Sequence, residues 1–252
     1  MAWLSFLPPL IAEEVILTPI ADATLIERAP GNSSGGADFF NAGTTQVGTR
    51  NRALIQFNPS SQIPANATIT SATLTLQVVR EPACGFASSA FGIYRVLRPW
   101  GEGSNVPVDN NGGLGAPAMF GDATWTSRFT GTGQDWAAPG GAPEIDYSST
   151  LSSAAVIYGV NESPYEFEST FDTVADLQLW LNHPENNFGW MLISQSEDTP
   201  FTARRFNSRE EPFGNVPFLT VDFEVPEPGT LALWGLGLIV MVGGRVWTRR
   251  PR

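Results

Sequence analysis

Twenty-five acidic residues against 14 basic ones give this 252-residue chain a formal net charge of −11, a balance that repels phosphate backbones and argues against nucleic acid as a partner. A single histidine and a single cysteine exclude a multi-histidine metal site and an internal disulfide. The core must therefore hold by burial alone, for which eight Trp and 16 Phe supply the area.

Taken in order, residues 1–14 contain an apolar run from Trp3 to Ile11 with no basic flank, broken by Pro8 and Pro9. A secretory leader needs a positive n-region. This stretch is expected to be a truncated signal remnant or disordered, with the true start upstream, and the folded domain to occupy 15–224. Residues 15–29 read as short β-type runs, and residues 31–36 (GNSSGG) as a turn or loop. Residues 52–57 (RALIQF) form a compact strand. Residues 68–79 alternate Leu74, Leu76 and Val78 against Thr73, Thr75 and Gln77, the period-two mark of a half-buried strand. Another strand is expected at 91–97, followed by an exposed Gly/Asn/Pro-rich loop at 100–122 and a strand at 154–158. Residues 173–182 place Val174, Leu177, Trp180 and Leu181 on one helical face, and Pro184 stops that helix. Strands at 189–194, 201–208 and 218–225 complete the series. Many short strands, Gly/Pro turns and one short helix predict an all-β, antiparallel β-sandwich or jelly roll.

The last stretch, 225–252, differs in kind. Pro226, Glu227 and Pro228 come first, an apolar run over 231–242 follows, and Arg245, Arg249, Arg250 and Arg252 close the chain. The prolines break any regular element running out of the body. The uncharged segment is about 15 residues, roughly 22 Å as a helix, short of the ~30 Å hydrocarbon core unless Val246, Trp247 and a snorkelling Arg245 extend it. Arginines on its C-terminal side set that end in the cytoplasm and the body outside. A C-terminal hydrophobic helix is expected here. This order of parts resembles the PEP-CTERM sorting signal. The resemblance implies a Gram-negative bacterial protein whose precursor sits in the inner membrane through its tail. An exosortase-type membrane protease would cut near Pro226–Pro228 and pass the body to the cell surface or extracellular matrix.

The body, about 20–224, resembles the DNRLRE-type domain, a β-sandwich module of secreted proteins. The segments that carry the resemblance are RALIQF with Ile63-Pro64-Ala65 and residues 69–76, Tyr94-Arg95-Val96 with Trp100 and Glu102, and Ala123-Thr124-Trp125. Trp136 with Gly140-Gly141, the helix, and Ser208-Arg209-Glu210 before Pro217 follow in order. The loop at 103–122 is an expansion of the compact form. The family is similar to carbohydrate-binding appendages, some of which bind calcium structurally.

His183, between a helix and Pro184, suits capping or solvent, and Cys84 lacks a nucleophile's context. Asp22, Glu27, Asn32 and Asp38 flank the GNSSGG loop and are the candidate oxygen ligands for a structural calcium ion, although their spacing is not that of an EF-hand. Trp100, Glu102, Trp125 and Trp136 are the candidate glycan contacts, because aromatic faces beside acids suit a sugar. A non-enzymatic exported protein associated with exopolysaccharide is the leading expectation, acting through such contacts as a carbohydrate-binding module. The alternative is a carboxylate-dependent polysaccharide-degrading enzyme, a glycosidase or lyase, built from pairs such as Glu166/Glu168, Glu210/Glu211 or Asp172/Asp176 with an arginine such as Arg128.

Overall fold

The structure, a computed structural model, describes residues 10–108 and 113–226. Within them the chain begins with β1 (Leu10–Leu17), β2 (Ala21–Ile26), β3 (Asn32–Ser33), β4 (Phe39–Thr44) and β5 (Arg50–Gln56). It continues with β6 (Thr68–Leu76), β7 (Val78–Arg80), β8 (Ser89–Val96), β9 (Ala116–Pro117), β10 (Ser127–Phe129) and β11 (Gln134–Asp135). The last elements are β12 (Tyr147–Ile157), β13 (Tyr165–Phe167), α1 (Phe171–Asn182), β14 (Trp190–Ser194), β15 (Arg204–Asn207) and β16 (Phe218–Pro226).

Two antiparallel sheets carry the fold. A four-stranded sheet runs β1-β16-β6-β13, and an eight-stranded one runs β12-β8-β14-β5-β4-β15-β7, with β2 also pairing β5. One hydrophobic core takes residues from both: Leu74, Val221 and Phe167 from the smaller sheet, Ile55, Phe91, Leu192 and Phe206 from the larger. The architecture is thus all-β and sandwich-like, as the strand pattern implies. Helix α1 closes the same core with Leu177, Trp180 and Leu181, the face predicted from their spacing. Thr170 caps its N-terminus, accepting from Thr173 N–H, the hydroxyl-to-backbone bond that satisfies a first-turn donor.

A second, smaller core lies on the outer face of the large sheet. Leu54 of β5 and Met191 and Ile193 of β14 point into it and meet Trp125, Trp136 and Tyr147. Alternate residues of β5 and β14 therefore enter different cores, which is why residues 53–55 and 190–193 are apolar without alternation.

Several expectations are corrected. Residues 10–14, expected outside the folded domain, belong to β1, where Leu10 lies opposite Pro226 and Leu17 opposite Leu219. The 68–79 strand is interrupted at Gln77. β6 lies in the small sheet and β7 pairs β15 in the large one, so one alternating segment crosses between layers. The segment 100–122 is more than an exposed loop. Its β9 pairs β3, Asp122 is buried, and Asn105 Nδ2 bonds Ser33 Oγ and Asp122 Oδ2 at 2.7 and 3.0 Å. Strand β4 (FFNAGT) carries no period-two signal because all six of its residues are buried. The hydrophobic helix expected within 225–252 lies outside the described residues.

Candidate functional site

Four charged side chains from three distant parts of the chain meet beside the large sheet. Asp22 is on β2, Glu102 follows β8, and Arg209 and Glu210 follow β15. Asp22 is 1% exposed; its backbone N–H donates to Glu102 Oε1 at 2.7 Å, and its Oδ2 accepts Arg209 N–H at 2.8 Å. The Arg209 guanidinium grips Glu102 through Nε to Oε1 at 2.6 Å and Nη2 to Oε2 at 2.8 Å. The same Nη2 lies 2.8 Å from Glu210 Oε1. Gly35 makes room for this arrangement: a Cβ there would stand 1.9 Å from the Glu102 carbonyl oxygen.

Burial pushes the Asp22 carboxyl well above the usual carboxylate range; the Arg209 N–H opposes this, and Glu210 and Glu102 reinforce it. Glu210 is also raised, by burial first, with Arg209 acting against it. One oxygen from each of Asp22, Glu102 and Glu210 lies within 4.8 Å of the others. Such a carboxylate set is of the type that hard cations take. In this cluster the Arg209 guanidinium supplies positive charge, while Glu210 Oε2 is buried without a hydrogen-bond partner.

Of the four residues expected as calcium ligands, the structure brings only Asp22 into this cluster. Glu27 pairs with Arg50, which holds its carboxyl below the usual range. Asn32 Nδ2 donates to the Leu114 carbonyl at 2.8 Å, and Asp38 is exposed beside the core strand β4. Among the described residues these three join no acidic cluster with Asp22. Glu102, singled out as a glycan contact, proves to be the central acid of the cluster. Arg209 and Glu210 carry no spacing signal that links them to Asp22, because the sheet alone brings them together.

The aromatic candidates are corrected as well. Trp125 and Trp136 are 4% and 5% exposed, packed in the second core, so neither offers a ring face to a sugar. Trp136 Nε1 donates to the Thr124 carbonyl at 2.9 Å, and the Arg52 guanidinium lies 5.7 Å from both the Trp125 and Tyr147 rings. Trp100 is half-buried with Nε1 on the Phe188 carbonyl at 2.9 Å. Arg128 is buried, donating through Nη1 to the Pro99 carbonyl at 2.7 Å. Asp176 is likewise structural: it accepts from Ser152 Oγ and Trp190 Nε1 at 2.6 and 2.8 Å and pairs with Arg95. His183 caps α1 and is exposed to solvent, as its position suggests, and Cys84 is a free, exposed thiol.

The other functional element begins where the fold ends. Strand β16 runs to Pro226, with Glu224 opposite Ala12 on β1 and Thr68 on β6. Residues 224–250 match the PEP-CTERM protein-sorting motif. The chain is thus an exported protein with a membrane-anchored precursor that an exosortase, a membrane protease, processes. The motif's first residues are at the same time the last residues of the small sheet. Glu227, Pro228 and the arginines Arg245, Arg249, Arg250 and Arg252 lie outside the described residues. Among the described residues no helix is long and apolar enough to cross a membrane. Comparison with curated proteins gives no match.

Proposed function

We propose that the body is a non-enzymatic surface or matrix protein, delivered by its tail and associated with exopolysaccharide. The observation that carries this reading is the sorting motif that begins inside β16. A strand held on both sides by β1 and β6 ends at Pro226, the first residue of the Pro-Glu-Pro sequence. Processing there releases a domain whose last strand is already paired. The non-enzymatic reading is supported by Arg128 and Asp176, which hydrogen-bond to structural partners. DNRLRE-like architecture remains part of the proposal, supported by the two facing antiparallel sheets.

The decisive measurement is the C-terminus of the protein recovered from the surface of cells that express the processing protease. Mass spectrometry is expected to find a chain ending near Pro226–Pro228, and surface protein that still carries Arg252 would overturn the sorting reading. Exopolysaccharide association is tested separately by binding of the mature domain to a panel of bacterial polysaccharides. Flat responses across the panel would reject it, and turnover of any member would reject the non-enzymatic role.

A further inference from the structure

A cavity of about 260 Å³ opens at the β4–β15–β7 edge of the large sheet, and Arg28, Arg80, Arg204, Arg205, Asn41 and Asn51 are among its lining residues. Four of the chain's 14 basic residues converge here although the chain as a whole is strongly acidic. Among the described residues none of the four forms an ion pair. Among the described residues Glu81 is the one carboxylate in the lining, and its Oε2 accepts the Val160 N–H at 2.8 Å.

Arg204, Arg205 and Arg80 are held differently. Arg204 is buried and gives its N–H groups to main-chain carbonyls, among them Tyr158 and Ala87 at 2.8 and 2.9 Å, so its charge is anchored but not neutralised. Arg205 lies 3.6 Å from the Phe39 ring centroid. Its Nε points at Asn41 Oδ1 at 3.4 Å, and its two terminal nitrogens have no hydrogen-bond partner among the described residues. Arg80 sits directly across from Arg205 in the antiparallel register, a like-charge pair that destabilises a sheet. Burial and the nearby Arg80 push the Arg205 guanidinium down to about 10.

Asn41 adds an independent sign. It is 8% exposed, and its Nδ2 has no hydrogen-bond partner. The amide orientation is fixed by the Arg205 contact, since a flip would turn NH₂ toward a guanidinium. A Cβ on Gly113 would lie 3.4 Å from Asn41 Nδ2 and 3.9 Å from Arg205 Nη2, so the two unused donors face the same small space. Buried donors without acceptors are rare in folded proteins, and guanidinium forks match planar and tetrahedral oxyanions.

We infer that this cavity is an oxyanion site, in which Arg205, Asn41 and Arg80 together take a carboxylate, sulfate or phosphate group. The volume lies just below the ~300–1,000 Å³ of drug-sized ligand pockets and suits one small anion or one acidic group borne by a larger molecule. The inference stands apart from the sorting and polysaccharide readings, since it rests on the folded domain alone.

The test is the melting temperature of the exported domain in sodium sulfate, sodium phosphate or sodium glucuronate, each against sodium chloride at matched ionic strength. The site predicts a saturable rise with at least one of the three oxyanions, and their order separates inorganic anions from a sugar-borne carboxylate. Arg80→Gln and Arg205→Gln should each weaken the apparent affinity by roughly tenfold or more, the loss of a hydrogen bond to a charged group. Glu81→Gln should strengthen it, because it removes the lining's negative charge and keeps an acceptor for Val160. Arg80 is exposed, so its variant folds, and relief of the Arg80–Arg205 repulsion should raise its melting temperature without anion. No rise beyond chloride in the parent, or the parental rise retained in Arg80→Gln, would overturn the assignment.

Discussion

The carboxylate cluster around Asp22 and the arginine cavity around Arg205 flank one sheet and are built in opposite ways. In the first, Arg209 bridges Glu102 and Glu210 while its backbone N–H serves Asp22, so the surplus of negative charge is stitched together from inside the chain. In the second, four arginines gather without an ion pair among the described residues, and a buried amide donor is left unused. Proteins do not leave buried polar groups unpaired without cost. The cluster satisfies most of its demand internally. The cavity points its demand outward. The difference separates a structural polar network from a binding one, although both consist of the same residue types.

The largest expected effect comes from removing the one cavity arginine that is anchored. Arg204→Ala would strip the Tyr158 and Ala87 carbonyls of their donor and empty a buried volume, costing about 3 kcal/mol, readable in urea denaturation. A loss below about 1 kcal/mol would place Arg204 with the free cations of the cavity and blur the contrast.

Next comes the bridge of the acidic cluster. Arg209→Ala leaves Glu102 and Glu210 facing each other beside buried Asp22, at a cost of about 1–2 kcal/mol after allowance for screening at a side chain 38% exposed. Calcium should then stabilise the variant more than the parent, because the ion can take over the role of the guanidinium. Equal calcium responses in the two proteins would show that Arg209 and a cation do not compete for these oxygens.

A smaller effect is the pH dependence that Asp22 imposes. Its raised pKa means that the folded chain holds this proton more tightly than the unfolded chain does. Stability contributed by the protonated group is present in acid and falls as pH climbs from about 4 through the raised value. Asp22→Asn should flatten that decline while its amide oxygen still accepts the Arg209 N–H. Denaturant midpoints between about pH 4 and 7 would measure it, and parallel curves for parent and variant would refute it. The smallest effect is the gain from Arg80→Gln without anion, on the order of a few tenths of a kcal/mol from relief of a cross-strand like-charge pair.

Much of the fold was legible in the sequence, and the reason is periodicity. Leu177, Trp180 and Leu181 mark the buried face of α1 by their spacing alone, and the apolar residues 53–55 and 190–193 mark the strands β5 and β14. Strand β4 was invisible because its complete burial erases the alternation that reveals a strand. Crossing from β6 to β7 was hidden for the opposite reason: the alternation continues through Gln77 while the pairing partner changes.

Candidate site residues were legible only in part. Asp22 and Glu102 stood out as acids beside loops, but their meeting with Arg209 spans up to 187 positions and leaves no trace in local spacing. The tryptophans misled because a Trp in a Gly/Pro-rich stretch reads alike whether its ring faces water or fills a core. Only the covering of the large sheet's outer face shows Trp125 and Trp136 to be core.

By itself the sequence determined the address of this protein and the class of its fold, because a sorting motif and strand periodicity are local patterns written in adjacent residues. Tertiary structure alone decided which charges are paired and which are free. Ion pairing depends on distances of a few ångströms between residues far apart in the chain, and the packing of the two sheets sets those distances.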